Sequence, residues 1–146
     1  MKLWQKTYLF STLLCALIAR VGVPALEERS ISVASGKLAS MPGGWIRVLF
    51  AGILCGILMY TAVWAYKQKN TVMAILFCVP VFILAGFEHS IADMFYVFFA
   101  GTFSPAQFFT PNAFLFLLMV VIGNSAGGML IPFLVKLGAK KPAKSE

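Results

Sequence analysis

An apolar run from Thr71 to Gly101 carries Glu88, His89 and Asp93 near its middle, and His89 is the sole histidine of the chain. A straight membrane-spanning helix needs about 20 apolar residues, and this run is about half as long again. Hydrocarbon accepts ionisable side chains only where they face protein or water, so acids and a histidine at that depth mark a functional site. Gly86 and Ser90 bracket the charges, as expected where one half-helix stops and a second begins. Unwound backbone at membrane depth must be covered by protein or line a cavity, because lipid offers it no hydrogen-bond partner. The segment is therefore predicted to be a discontinuous helix with His89 at the break. The plainer alternative is a buried network in which Glu88, His89 and Asp93 pin two helices together.

Composition agrees with a membrane solvent. Hydrophobic residues make up 60% and charged residues 12% of the 146 residues, with a mean hydropathy of +0.88. Soluble domains average nearer half and a quarter. The length allows one domain, read as a transmembrane domain over 1–146 with a basic, disordered tail at 138–146. The net charge of +7 does not form a patch, since the basic residues gather at span ends. They read as topology signals rather than as a nucleic-acid footprint. Cys15, Cys55 and Cys78 lie inside apolar runs without metal-ligand spacing and read as packed thiols. No small-residue cleavage site follows the first apolar stretch, so no signal peptide is read there.

Four spans are predicted. Leu3 to Leu26 is the first, interrupted by Lys6 and Arg20 and ended by Pro24, with Arg20 reaching toward the interface. Glu27 to Gly44 is read as a polar loop closed by the turn signal Pro42-Gly43-Gly44. Trp45 to Tyr66 is the second span, with aromatic ends and a Gly52–Gly56 pair read as a packing surface. After the turn Lys67-Gln68-Lys69-Asn70 comes the broken segment, with Pro80 in its first half. Thr102 to Asn112 is read as an uncharged loop, and Ala113 to Leu137 as the last span, which carries Asn124 in a nearly side-chain-free flank. Two readings are open for Asn124: interhelical glue, or a group facing a pore. With four passes, Lys2, Lys6, Lys67, Lys69, Lys136, Lys140, Lys141 and Lys144 share one side of the membrane. Arg29, Lys37 and Arg47 fall on the other, with Arg20 near it. The excess predicts that both termini are cytoplasmic.

No nucleotide loop, metal-ligand spacing or nucleophile–base pair occurs, so neither an enzyme nor a cofactor is expected. A pathway for a small anion uses the same residues well. Such an ion cannot cross hydrocarbon cheaply, and a histidine that titrates near neutral pH can lend it a proton in a confined site. Lys37 reads by itself as a solvated loop lysine, or as a charge that concentrates anions at a vestibule.

Three stretches carry a family resemblance. Gly86-Phe87-Glu88-His89-Ser90-Ile91-Ala92-Asp93-Met94-Phe95 resembles the central motif GFEHSIANMF of the formate/nitrite transporter family. Gly52-Ile53-Leu54-Cys55-Gly56 followed by Ala62-Val63-Trp64 resembles the family's GILCN…AVW helix, and Ile122-Gly123-Asn124-Ser125-Ala126-Gly127-Gly128 resembles its IGNIIGG signature. They stand in the family's order, within Lys37 to Lys136.

The resemblance implies an all-α polytopic membrane protein whose four transmembrane segments, one of them broken, form part of an aquaporin-like six-helix fold. It implies passage of small monovalent anions such as formate, nitrite or hydrosulfide, with His89 as proton donor and Asn124 beside it in the pathway. It also implies an electrostatic network of Lys37, Glu88 and Asp93. Asp93 stands where the family has Asn, and two carboxylates around one lysine favour a shared proton. Gly56 stands where the family has Asn, and Phe116 to Val121 replaces the family's NxxPVT. Measured on the family pattern, the chain begins near the third of six spans. The expected partners are membrane lipid, a small anion and a proton, and either further copies in a family-like pentamer or a separate N-terminal half. The alternative expectation is a non-conducting remnant or accessory subunit that assembles with a homologue.

Overall fold

The computed structural model of the chain describes residues 3–22, 25–70 and 72–138. Most of the tail expected over 138–146, together with Pro24 and Thr71, lies outside these residues. Seven helices occur and no strand is found among the described residues. The chain is an all-α membrane protein with one discontinuous helix.

Helix α1 (Leu3–Gly22) is followed by α2 (Ala25–Ala39), then α3 (Trp45–Lys69). The broken segment gives α4 (Met73–Leu84) and α5 (Ser90–Phe103); a short α6 (Pro105–Phe108) leads into α7 (Pro111–Gly138). Helices α3 and α7 are each long and apolar enough to cross a membrane alone. The pair α4–α5 has the length of a span only when taken across its break.

The loop expected over Glu27 to Gly44 is instead largely helix α2. Its serines and charges suggest a loop, but Ile31, Ala34 and Leu38 share one helical face. Ala34 is fully buried against Ala100 and Phe108, with Ile31 and Leu38 beside it. Glu27 and Glu28 sit in the first turn and Lys37 in the last, each favourable to the helix dipole. Only the turn through Ser40-Met41-Pro42-Gly43-Gly44 remains as connection, with Gly43 at φ +84°. The uncharged loop expected over Thr102 to Asn112 likewise holds α6 and the start of α7, because Pro105 and Pro111 each open a helix.

The hub is α3 against α7, where glycines bring the two backbones into contact. A Cβ on Gly56 would meet the Asn124 carbonyl, and one on Gly127 would meet the Ile53 carbonyl. A Cβ on Gly123 would lie 2.6 Å from the Leu49 carbonyl and 3.1 Å from the Gly52 Cα. The two small-residue faces cover each other, in agreement with the packing reading of Gly52 and Gly56. Helix α4 packs on α3, and α5 lies among α1, α2 and α7. A core of Val48, Val97, Phe116, Leu117 and Val120 joins α3, α5 and α7. Arg20, at the end of α1, donates to the Thr102 carbonyl at 2.9 Å and lies 5.0 Å over the Phe103 ring. It thereby ties α1 to the C-terminal turn of α5, where cations are favoured.

Candidate functional site

The break begins where α4 is stopped by glycine. Gly86 has φ +68°, a region that a Cβ disfavours. Its N–H bonds to the Ile83 carbonyl at 3.2 Å, and the next amide, Phe87, turns back to Phe82 at 3.0 Å. This crossed pair is the Schellman ending of a helix. Two residues later His89 is extended, at φ −108° and ψ 115°, and its ring caps α5 by accepting the Ile91 N–H on Nδ1 at 3.3 Å. The neutral imidazole then carries its proton on Nε2, the nitrogen left free for other partners.

Extended backbone sends neighbouring side chains to opposite sides, and the break does this with Glu88 and His89. His89 lines a cavity of about 450 Å³ with Thr12 and Cys15 of α1, Phe82 of α4, and Phe95 and Tyr96 of α5. The Phe82 ring rests 5.2 Å from the imidazole, centroid to centroid. Glu88 lines a second cavity of about 310 Å³, formed with Lys37 of α2 and Arg47 of α3. One unwound stretch therefore borders both cavities.

Asn124 holds the unwound backbone. Its Nδ2 donates to the Glu88 carbonyl at 2.8 Å and to the Gly52 carbonyl at 3.0 Å, and its Oδ1 accepts the Ser90 N–H at 3.1 Å. The Glu88 carbonyl and the Ser90 amide are groups that the break leaves without helical partners, and the Gly52 carbonyl ties them to α3. Asn124 touches the backbone on either side of His89 but does not line the His89 cavity.

Lys37, Glu88 and Asp93 are brought together from α2, the break and α5. Lys37 Nζ donates to Glu88 Oε2 and lies 3.0 Å from Asp93 Oδ1. Asp93 is 1% exposed, and its Oδ2 is buried with no hydrogen-bond partner. Lys37 can reach them because α2 is a helix packed on α5; a solvated loop would not hold it there.

The sequence profile described as formate/nitrite transporter matches residues 4–138. The chain belongs to the formate/nitrite transporter family. It is 33% identical over 115 residues to the uncharacterized transporter YrhG of Bacillus subtilis (strain 168), covering 74% of this chain and 40% of that protein. It is 30% identical over 105 residues to a protein of Methanothermobacter thermautotrophicus named "Probable formate transporter", covering 67% of this chain and 36% of that protein. The chain thus spans about two fifths of the length of these curated relatives. No solved structure matches it.

Two departures from the formate/nitrite transporter pattern have a place in the geometry. Gly56, in place of the family's Asn, lets the α7 backbone come against α3 where any Cβ would collide. Asp93, in place of Asn, adds a second carboxylate to Lys37. The α1 residues of the His89 cavity were missed by the sequence reading. Their signal was Ser11 and Cys15, four positions apart in an apolar helix and hence on one face. In the sequence Arg47 is only a topology charge, and its place in a cavity depends on α2 lying opposite.

Proposed function

We propose that this chain forms part of a pathway for small monovalent anions or their conjugate acids, such as formate, nitrite or hydrosulfide. The observation that carries the reading is the break itself, which borders one cavity through Glu88 and another through His89. An anion moving between the cavities would pass the imidazole. Nε2–H can donate to it or lend it a proton, and a neutral acid crosses a water-poor constriction at far lower cost than an ion. Asn124 keeps the backbone beside His89 in place. The Lys37–Glu88–Asp93 cluster sets the local field and ties α2 to the break.

The same reading places the chain in the cell (inner or plasma) membrane as a four-pass protein with both termini cytoplasmic, on the lysine asymmetry given above. A second reading, an accessory subunit that conducts only with a partner, is supported by the open flank of the His89 cavity. Ser11, Cys15 and Ile91, which line it, are exposed, and the unwound backbone needs cover from lipid. Further copies of the chain, or a polypeptide resembling the family's N-terminal two spans, would supply that wall.

The test is formate uptake into liposomes holding the chain alone, and holding it with the N-terminal two spans of a relative added in trans. Selective uptake is expected when the second polypeptide is present and not with the chain alone. Uptake by the chain alone would remove the accessory reading. No uptake in either preparation would refute the pathway.

A further inference from the structure

The cavity among α2, the start of α3 and the break is bordered by Ser32, Lys37, Ser40, Arg47, Gly86 and Glu88. Its charges are unequally committed. Lys37 already serves two carboxylates, Glu88 and Asp93. With both acids ionised the trio carries one positive and two negative charges, and with one proton shared between the acids it is neutral; in neither state does it attract an anion. Arg47 is exposed and makes no ion pair or hydrogen bond among the described residues. It is the uncommitted cation of the cavity. Ala51 lines the same wall one helical turn further along α3, so the arginine stands on the cavity face of its helix. Gly86, at the edge of the break, leaves open space where a side chain would stand.

We infer that Arg47 makes this cavity an outer docking site for planar anions with two adjacent oxygens, in preference to spherical ions. The guanidinium is a rigid planar fork that pairs two oxygens at once, whereas a lysine ammonium is a point charge with no shape preference. Formate and nitrite both present two oxygens on one small atom, and chloride does not. The inference rests on the reading that the chain handles small anions, and it selects among them. Arg47 also gives the mouth of the cavity a positive charge that the Lys37 trio does not supply.

The experiment reads the cavity without requiring flux. A cysteine is placed at Ser32, an exposed residue of the cavity wall, in a chain with Cys15→Ala and Cys78→Ala; Cys55 is buried and stays. The Ser32→Cys thiol is then modified with an anionic sulfonatoethyl and a cationic trimethylammonioethyl methanethiosulfonate. Arg47→Gln should lower the anionic-to-cationic rate ratio by roughly tenfold, as loss of a unit charge lining the same cavity implies. Arg47→Lys should hold the ratio within about twofold, since it keeps the charge. Formate and nitrite should slow modification in the parent where equal chloride does not, and Arg47→Lys should abolish that difference. An unchanged ratio in Arg47→Gln, or equal protection by formate and chloride in the parent, would overturn the inference. Protection by formate together with no flux even when the second polypeptide is supplied refutes the transport reading and leaves this site standing. Flux without protection refutes the site alone.

Discussion

Removing the Lys37 ammonium should cost the fold more than removing the Asp93 carboxylate that it serves. Lys37 Nζ contacts Glu88 Oε2 and lies 3.0 Å from Asp93 Oδ1. At an effective dielectric of about 20, each contact is worth about 5 kcal/mol of attraction, and two acids within about 6 Å of each other repel by about 3 kcal/mol. Lys37→Met deletes both attractions and leaves the repulsion, with Asp93 1% exposed and unable to reach water. The acids escape part of this by taking up protons, and breaking a buried pair from one side then costs about 3–5 kcal/mol. Asp93→Asn behaves differently. It loses one attraction of about 5 kcal/mol, but it relieves about 3 kcal/mol of repulsion and several kcal/mol of carboxylate burial. The balance is near zero or stabilising. The assay is unfolding in mild detergent titrated with a denaturing one, followed by helical circular dichroism, on the parent, both single variants and the double variant. Lys37→Met should be the least stable single variant, and Asp93→Asn should recover part of its loss in the double. Lys37→Met within about 0.5 kcal/mol of the parent would refute the reasoning, as would Asp93→Asn falling as far as Lys37→Met.

Other perturbations follow from the same geometry. Asn124→Ala strands the Glu88 carbonyl and the Ser90 amide, so a loss of about 1–3 kcal/mol and faster hydrogen exchange at Ser90 are expected; unchanged exchange would mean that the break holds itself. Gly127→Ala drives a Cβ into the Ile53 carbonyl and should lower the unfolding midpoint, while Gly36→Ala, with nothing within 4 Å, should raise stability by about 0.5–1 kcal/mol. Equal effects from the two substitutions would contradict the close approach of α3 and α7. Reporter fusions after Lys69 and after Glu146 should both give a cytoplasmic signal, and an external signal from either would exclude the four-pass arrangement.

The break was legible because its residues conflict with their solvent. Glu88 and His89 in an apolar run, with glycine ahead of them, leave few foldable alternatives, and the structure puts the gap between Leu84 and Ser90. The glycine pairs were legible for a related reason, since small residues four apart serve mainly to admit another backbone. Helix α2 was not legible. Serine and charge suit a loop or a helix equally, and what decides is the apolar face of Ile31, Ala34 and Leu38 meeting Ala100 and Phe108, a tertiary fact. With α2 misread, the cavity around Arg47 had no second wall. The role of Asn124 is not legible in its spacing, which says nothing about which backbone groups come to lack partners.

The most direct test is the pH dependence of formate flux with His89→Asn, in liposomes where the second polypeptide is supplied. Asparagine keeps an oxygen that can accept the Ile91 N–H and so preserve the α5 cap, but it cannot exchange a proton near neutral pH. If His89 hands a proton to the passing anion, the variant should assemble like the parent while most of the pH-dependent flux disappears. Flux from His89→Asn with the parent's rate and pH profile would contradict a proton-handling role and reduce the histidine to a helix cap.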